Sequence, residues 1–216
     1  MGLRLNLLSM DVPYRSKYSL GSLIVIFTGS NLVSMGLRIL GGFLVARFTE
    51  PATLGLYNSL GLVLSYSPFL LLGISNGMNR ELPFYYGKGD TAKAKDLAAT
   101  AQAWALVVSS TLAAILLGLA GYYAVKGSWL LSVGWAVQAF SAIVILYGQF
   151  YLEMTFRTRS EFVRISMIYV IQQTIGLISV PLVWVADFFG LCARGALMGI
   201  SYLGLLWHWR PLRIKP

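Results

Sequence analysis

The chain has 216 residues, of which 57% are hydrophobic and only 12% charged. Soluble domains are nearer half apolar and a quarter charged, so the shortage of charge excludes an ordinary soluble protein and points to a membrane. The formal net charge of +9 would suit nucleic acid, but the charges cluster in short segments between apolar runs, which makes lipid headgroups the phosphates they meet and excludes nucleic acid as a partner.

Residues 1–18 read as an amphipathic lead-in on the membrane surface, with Arg4, Arg15 and Lys17 toward anionic lipid and a break at Pro13. They do not read as a cleavable signal, because the adjoining apolar run is too long and lacks a small-residue cleavage site. That run predicts a first helix over 20–46, since about 20 apolar residues cross a bilayer core of roughly 30 Å. One charge, Arg38, lies well inside it. An Arg at depth costs about 2.5–3.5 kcal/mol on insertion scales, so it faces protein or water rather than lipid. At helical spacing Thr28, Asn31, Ser34 and Arg38 share a sector of about 120°. Gly29 and Gly36 lie on another face, suited to close packing. The alternative is an Arg38 that snorkels to the outer interface, about 12 Å away along the helix.

Arg47-Phe48-Thr49-Glu50-Pro51 forms a tight connection, with Pro51 suited to a turn or a first helical position. A second helix is predicted over 53–78. Asn58, Ser65 and Asn76 share one face of it. Pro68 should kink it, with Ser65 or Ser67 satisfying the freed carbonyl. Residues 79–97 are the longest polar segment, and Asp90 is an N-cap for a helix starting at Thr91. Gly87-Lys88-Gly89 lacks the spacing and the preceding strand of a phosphate-binding loop. Further helices are predicted over 98–122, 129–152, 165–186 and 191–209. The fourth carries Gln138, Ser141, Gln149 and Glu153 on one face. The fifth carries Tyr169, Gln172, Gly176 and Ser179, and Pro181 kinks its end. Asp187 and Arg194 flank a short turn around Gly190. His208, between Trp207 and Trp209, belongs to an interfacial belt. Residues 210–216 form a basic tail.

The fold class is therefore all-α, a polytopic membrane protein with six transmembrane helices in one bundle. Of the 17 Lys and Arg, all but Arg38, Arg47, Lys126 and Arg194 fall on the two tails and the even connections, which places both termini in the cytoplasm.

Cys192 is the only cysteine and His208 the only histidine, which excludes an intrachain disulfide, a zinc cluster or a Cys–His pair. Cys192 reads as a buried packing residue. Glu153, Glu161 and Asp187 fall near helix ends, and no carboxylate pair lies at membrane depth. The expectation is no enzyme, no catalytic residue, no cofactor and no metal. One-sided polar stripes recur on helices 1, 2, 4 and 5. Separate interhelical hydrogen bonds, worth about 0.6 kcal/mol each, would explain any one of them. Together with a deep Arg they predict a shared hydrated cavity lined by Thr28, Asn31, Ser34, Asn58, Ser65, Gln138, Gln149 and Gln172. Amides and hydroxyls suit a sugar, and a guanidinium suits a phosphate.

The segment Leu32-Val33-Ser34-Met35-Gly36-Leu37-Arg38, together with Val45-Ala46-Arg47-Phe48-Thr49-Glu50-Pro51 and Gly55-Leu56-Tyr57, resembles the opening of the polysaccharide flippases. These are the O-antigen and lipid-linked oligosaccharide exporters of the multidrug/oligosaccharidyl-lipid/polysaccharide exporter superfamily. Leu72–Pro83, Gly87–Asp90 and Phe156–Phe162 are similar to the same family in order and spacing. The resemblance implies a V-shaped bundle with a central cavity that opens alternately to each side of a bacterial cytoplasmic (inner) membrane. It implies polyprenyl-pyrophosphate-linked oligosaccharide as substrate for surface polysaccharide biosynthesis, with membrane lipids around it. Arg38, and secondarily Arg80 at the cytoplasmic mouth, would meet the phosphate. The family has two six-helix lobes, and residues 19–209 match the N-terminal one, with 210–216 as a linker. Alternating access by one lobe rocking on another then requires a truncated product's missing half, a separately encoded second lobe, or a homodimer. Rival readings are a drug/cation antiporter of the same superfamily, which wants a deep carboxylate, and a non-transporting scaffold in a glycan-assembly complex.

Overall fold

The computed structural model describes residues 20–158 and 161–209; the lead-in of 1–18 and the tail of 210–216 lie outside them. Every regular element among the described residues is helical. Helix α1 (Leu20–Phe48) is unbroken over 29 residues, about 43 Å at 1.5 Å per residue. The Thr49 hydroxyl closes it by donating to the Val45 carbonyl at 2.7 Å. Helix α2 (Pro51–Tyr66) begins with proline in its first turn, where a missing N–H leaves nothing unpaired.

Pro68 does more than kink the second segment. The chain tightens into a 3₁₀ turn over Ser67–Leu71 and reverses at Leu72 (φ 49) and Gly73 (φ 76). It then starts a separate helix, α3 (Ile74–Gly87). The Leu64 carbonyl, which residue 68 cannot bond because proline lacks an N–H, accepts from the Ser67 hydroxyl at 2.8 Å and from the Ser67 backbone N–H. This break takes Asn76 off the face shared by Asn58 and Ser65. Helix α4 (Thr91–Val125) is capped as expected, Asp90 accepting from the Lys93 N–H at 3.1 Å. Its 35 residues, about 52 Å long, exceed the hydrocarbon core. Ala94, Ala98, Ala101 and Ala105 recur at helical spacing, and their small side chains let Met78 and Leu82 of α3 pack closely.

The fourth apolar segment is one 30-residue span, Trp129–Thr158. It comprises α5 (Trp129–Ile143), a π-helical stretch Val144–Leu152, and α6 (Glu153–Thr158). Helix α7 (Phe162–Ile178) ends earlier than expected. Pro181 does not kink its end but lies in the first turn of α8 (Val180–His208). The expected turn around Gly190 is not a loop either. It is a break inside α8 at Asp187 (φ 43, ψ −111). The helix folds so tightly there that a Cβ on Gly190 would lie 2.1 Å from the Leu182 carbonyl oxygen.

Five of these stretches are long and apolar enough to cross a membrane, and α7 is a shorter apolar helix. The protein is thus all-α and polytopic. Its helices pack in two groups: α1 lies on α7 and α8, while α4 lies on α3, α5 and the π-helical stretch. The groups meet where α8 crosses α5, α2 and the π-helical stretch, and where α6 touches α7. α1 and α2 diverge from their short connection instead of packing along their length. Much of α1 faces outward with Val25, Leu32, Ile39 and Phe43 exposed. Gly29 and Gly36 have no neighbour within 4 Å, so the face expected for close packing is unused. Close approach occurs at Gly134, which sits against Leu60 and Phe188.

Candidate functional site

The divergence of α1 from α2 leaves a groove between the two helix groups. One wall carries Arg38 of α1, Gln172 of α7 and Arg194 of α8. The other carries Asn58 and Ser65 of α2, Gln138 of α5 and Gln149 of the π-helical stretch. The groove has two adjoining compartments of about 590 and 670 Å³ that share Arg38, Asn58, Gln149, Gln172 and Arg194. Arg38, Asn58, Ser65, Gln138, Gln149 and Gln172, all singled out by periodicity, therefore come together.

The rest of the α1 stripe does not join them. The groove tracks α1 along Arg38, Gly42 and Val45, one face at spacings of four and three. Thr28 is exposed and Asn31 half-buried outside that lining. Ser34 is buried, its hydroxyl without a hydrogen-bond partner among the described residues. The polar sector was continuous along the helix, but the groove occupies only its later turns. Arg80 is also apart: its side chain is 87% exposed on α3 and pairs with Glu81 at 3.4 Å.

The second groove cation is Arg194, which the sequence had placed beside a loop. Its Nε donates to the Gly176 carbonyl at 2.8 Å. Gly176 lies in the last turn of α7, where a cation is favoured, and its carbonyl also accepts from the Ser179 hydroxyl at 3.1 Å. A Cβ on Gly41 of α1 or on Gly176 would come within 3.4 Å of the Arg194 guanidinium, so the two glycines form its slot. Tyr57 of α2 approaches from the other wall, its hydroxyl 2.7 Å from where a Gly195 Cβ would stand. The signal for Arg194 was present. Treating 180–208 as one apolar span places a lone cation near its middle, as with Arg38.

Glu153 takes a different course from the face it shared in sequence with Gln138 and Gln149. The π-helical stretch bonds i to i+5 and shifts the helical phase of the residues beyond it. Glu153 turns away from the groove and is buried, only 3% exposed. One carboxylate oxygen accepts from Arg157 (2.9 and 2.6 Å) and from the Tyr169 hydroxyl (2.6 Å). The other accepts from the Tyr202 hydroxyl at 2.8 Å. Asp187 accepts from the Thr53 hydroxyl at 2.8 Å. Cys192 is buried, as its reading as a packing residue required. His208 is exposed at the end of α8 beside Trp209.

The groove thus holds two guanidiniums among amides and hydroxyls, with no acidic side chain in its lining among the described residues. Guanidiniums can bind an anion through planar forks, and amides that both donate and accept can bond hydroxyl groups. Among the described residues Arg38 has no ion-pair partner. Set beside known proteins, the chain finds no matching family model, curated protein or solved structure.

Proposed function

We propose that this chain is one lobe of a translocator for a polyprenyl-pyrophosphate-linked oligosaccharide in a bacterial cytoplasmic membrane, serving surface polysaccharide synthesis. The observation that carries the reading is the meeting of Arg38 and Arg194 in one amide-lined groove. Charges within membrane spans are costly and belong to pathways or binding sites. Two guanidiniums suit a pyrophosphate, and Asn58, Gln138, Gln149 and Gln172 suit sugar hydroxyls. The likeness of the 32–57 and 72–90 segments to polysaccharide flippases supports the cargo class. Translocation needs no covalent step, only different affinities in two conformations. In this reading a second lobe or a second copy lies across the groove, and the basic tails face the cytoplasm. The antiporter reading fits less well, because both oxygens of Glu153 are already engaged.

The test is binding by the full chain in lipid nanodiscs. The probes are a short polyprenyl-pyrophosphate oligosaccharide and the matching uncharged polyprenyl glycoside. The charged lipid should bind, the uncharged one should not, and Arg38→Ala should weaken binding roughly tenfold or more, with Arg38→Lys intermediate. Equal binding of both lipids, unchanged in Arg38→Ala, would overturn the proposal.

A further inference from the structure

Among the described residues, two sets of side-chain hydrogen bonds tie the helix groups together, and they are unequal. At one end, Glu153 opens α6 and takes hydrogen bonds from Tyr169 of α7 and Tyr202 of α8, besides its own helix's Arg157. Tyr202 lies in a buried apolar cluster with Phe156, Ile165, Ile168 and Leu206. Hydrogen bonds to a buried carboxylate are charge-assisted, roughly twice as strong as neutral ones. At the other end the polar link is the bond from Thr53 of α2 to Asp187 of α8. Asp187 holds a backbone conformation (φ 43, ψ −111) outside the favoured regions. Its other carboxylate oxygen is buried without a hydrogen-bond partner among the described residues. The helical stretch of α8 between the two fastenings, from Phe188 to Tyr202, is about 21 Å long.

We infer that the two helix groups part at the Asp187 end and pivot about the Glu153 network, so that the groove widens by a motion within this chain. Parting at Asp187 gives up one hydrogen bond, relaxes a strained backbone and lets water reach the orphaned oxygen. Parting at Glu153 strips two hydroxyl donors, from different helices, off a buried anion. Apolar contacts across the Asp187 end, such as Phe188 against Leu60 and Gly134, gain no hydrophobic drive in a bilayer and hold by van der Waals packing alone. The motion does not depend on which cargo the groove carries, so the lipid-binding test can fail while this inference stands.

Spin-label distances in the full chain in nanodiscs test it, in a Cys192→Ala background. One label pair replaces Ala52 and Ala186 beside the Thr53–Asp187 bond, and the other replaces Phe84 and Met167 toward Glu153. All four positions are exposed and each pair spans the two groups. The Ala52–Ala186 pair should show two distances, and Thr53→Val should raise the longer population roughly two- to tenfold, the worth of one hydrogen bond. The Phe84–Met167 pair should show one distance, unmoved by Thr53→Val and broadened by Tyr202→Phe. Tyr202→Phe is used because Glu153→Gln risks misfolding. A single Ala52–Ala186 distance that Thr53→Val leaves unchanged would overturn the inference. So would a Phe84–Met167 pair that opens with Thr53→Val, or that ignores Tyr202→Phe.

Discussion

Helices α1 and α8 are both 29 residues long, and each delivers one arginine to the groove. They do so by opposite means. Helix α1 is unbroken and packs by one side on α7 and α8, with 6% of its apolar window buried against 33% for α8. Arg38 projects from it into open space, without an ion-pair partner among the described residues. Helix α8 is broken at Asp187, folded back on itself at Gly190, and holds Arg194 through the Gly176 carbonyl. The difference separates two ways of keeping a charge in a membrane. One leaves the cation free for a ligand, and the other builds it into the scaffold while still presenting it to the groove.

Substitutions can break that contrast. The largest effect is expected at Gly190→Ala, because a Cβ 2.1 Å from the Leu182 carbonyl oxygen cannot be accommodated without moving backbone. A loss of about 3 kcal/mol is expected, read by reversible unfolding in mixed micelles. Next comes Arg194→Ala, which should cost about 2 kcal/mol by removing a charged donor from a helix-end carbonyl. Arg38→Ala should change stability by less than about 0.5 kcal/mol in the same assay while weakening anion binding. Equal stability losses for the two arginines would erase the difference between a free and a built-in cation. Ser34→Ala should stabilise by about 1 kcal/mol, since it removes a buried hydroxyl that lacks a partner. Gly36→Ala should gain about 0.5 kcal/mol on helix propensity alone, because an added Cβ would meet nothing within 4 Å.

The same contrast explains what the amino-acid order revealed. Apolar runs exposed the all-α membrane class, and the proline and aspartate caps at Pro51 and Asp90 marked two helix starts. Arg38, Asn58, Gln149 and Gln172 were legible because each is a polar residue at regular spacing in an unbroken apolar run. Arg194 was not, because Asp187 and Gly190 imitate a loop when the chain is read locally. Only tertiary packing of Gly190 on the Leu182 backbone makes that segment one folded-back helix. Glu153 was placed on the wrong face because periodicity assumes a constant pitch, and the π-helical stretch Val144–Leu152 changes it. Thr28, Asn31 and Ser34 had the right direction but lay too far along α1. A helical wheel reports angle and says nothing of how far a groove extends.

The central claim is that Arg38 and Arg194 share a water-filled groove. Its most direct test is labelling of single cysteines by a membrane-impermeant thiol reagent in intact membranes, in a Cys192→Ala background. The account predicts fast labelling at Asn58→Cys and Gln149→Cys and none at Val25→Cys on the lipid-facing side of α1. Protection at both groove positions, or equal labelling at Val25→Cys, would contradict it.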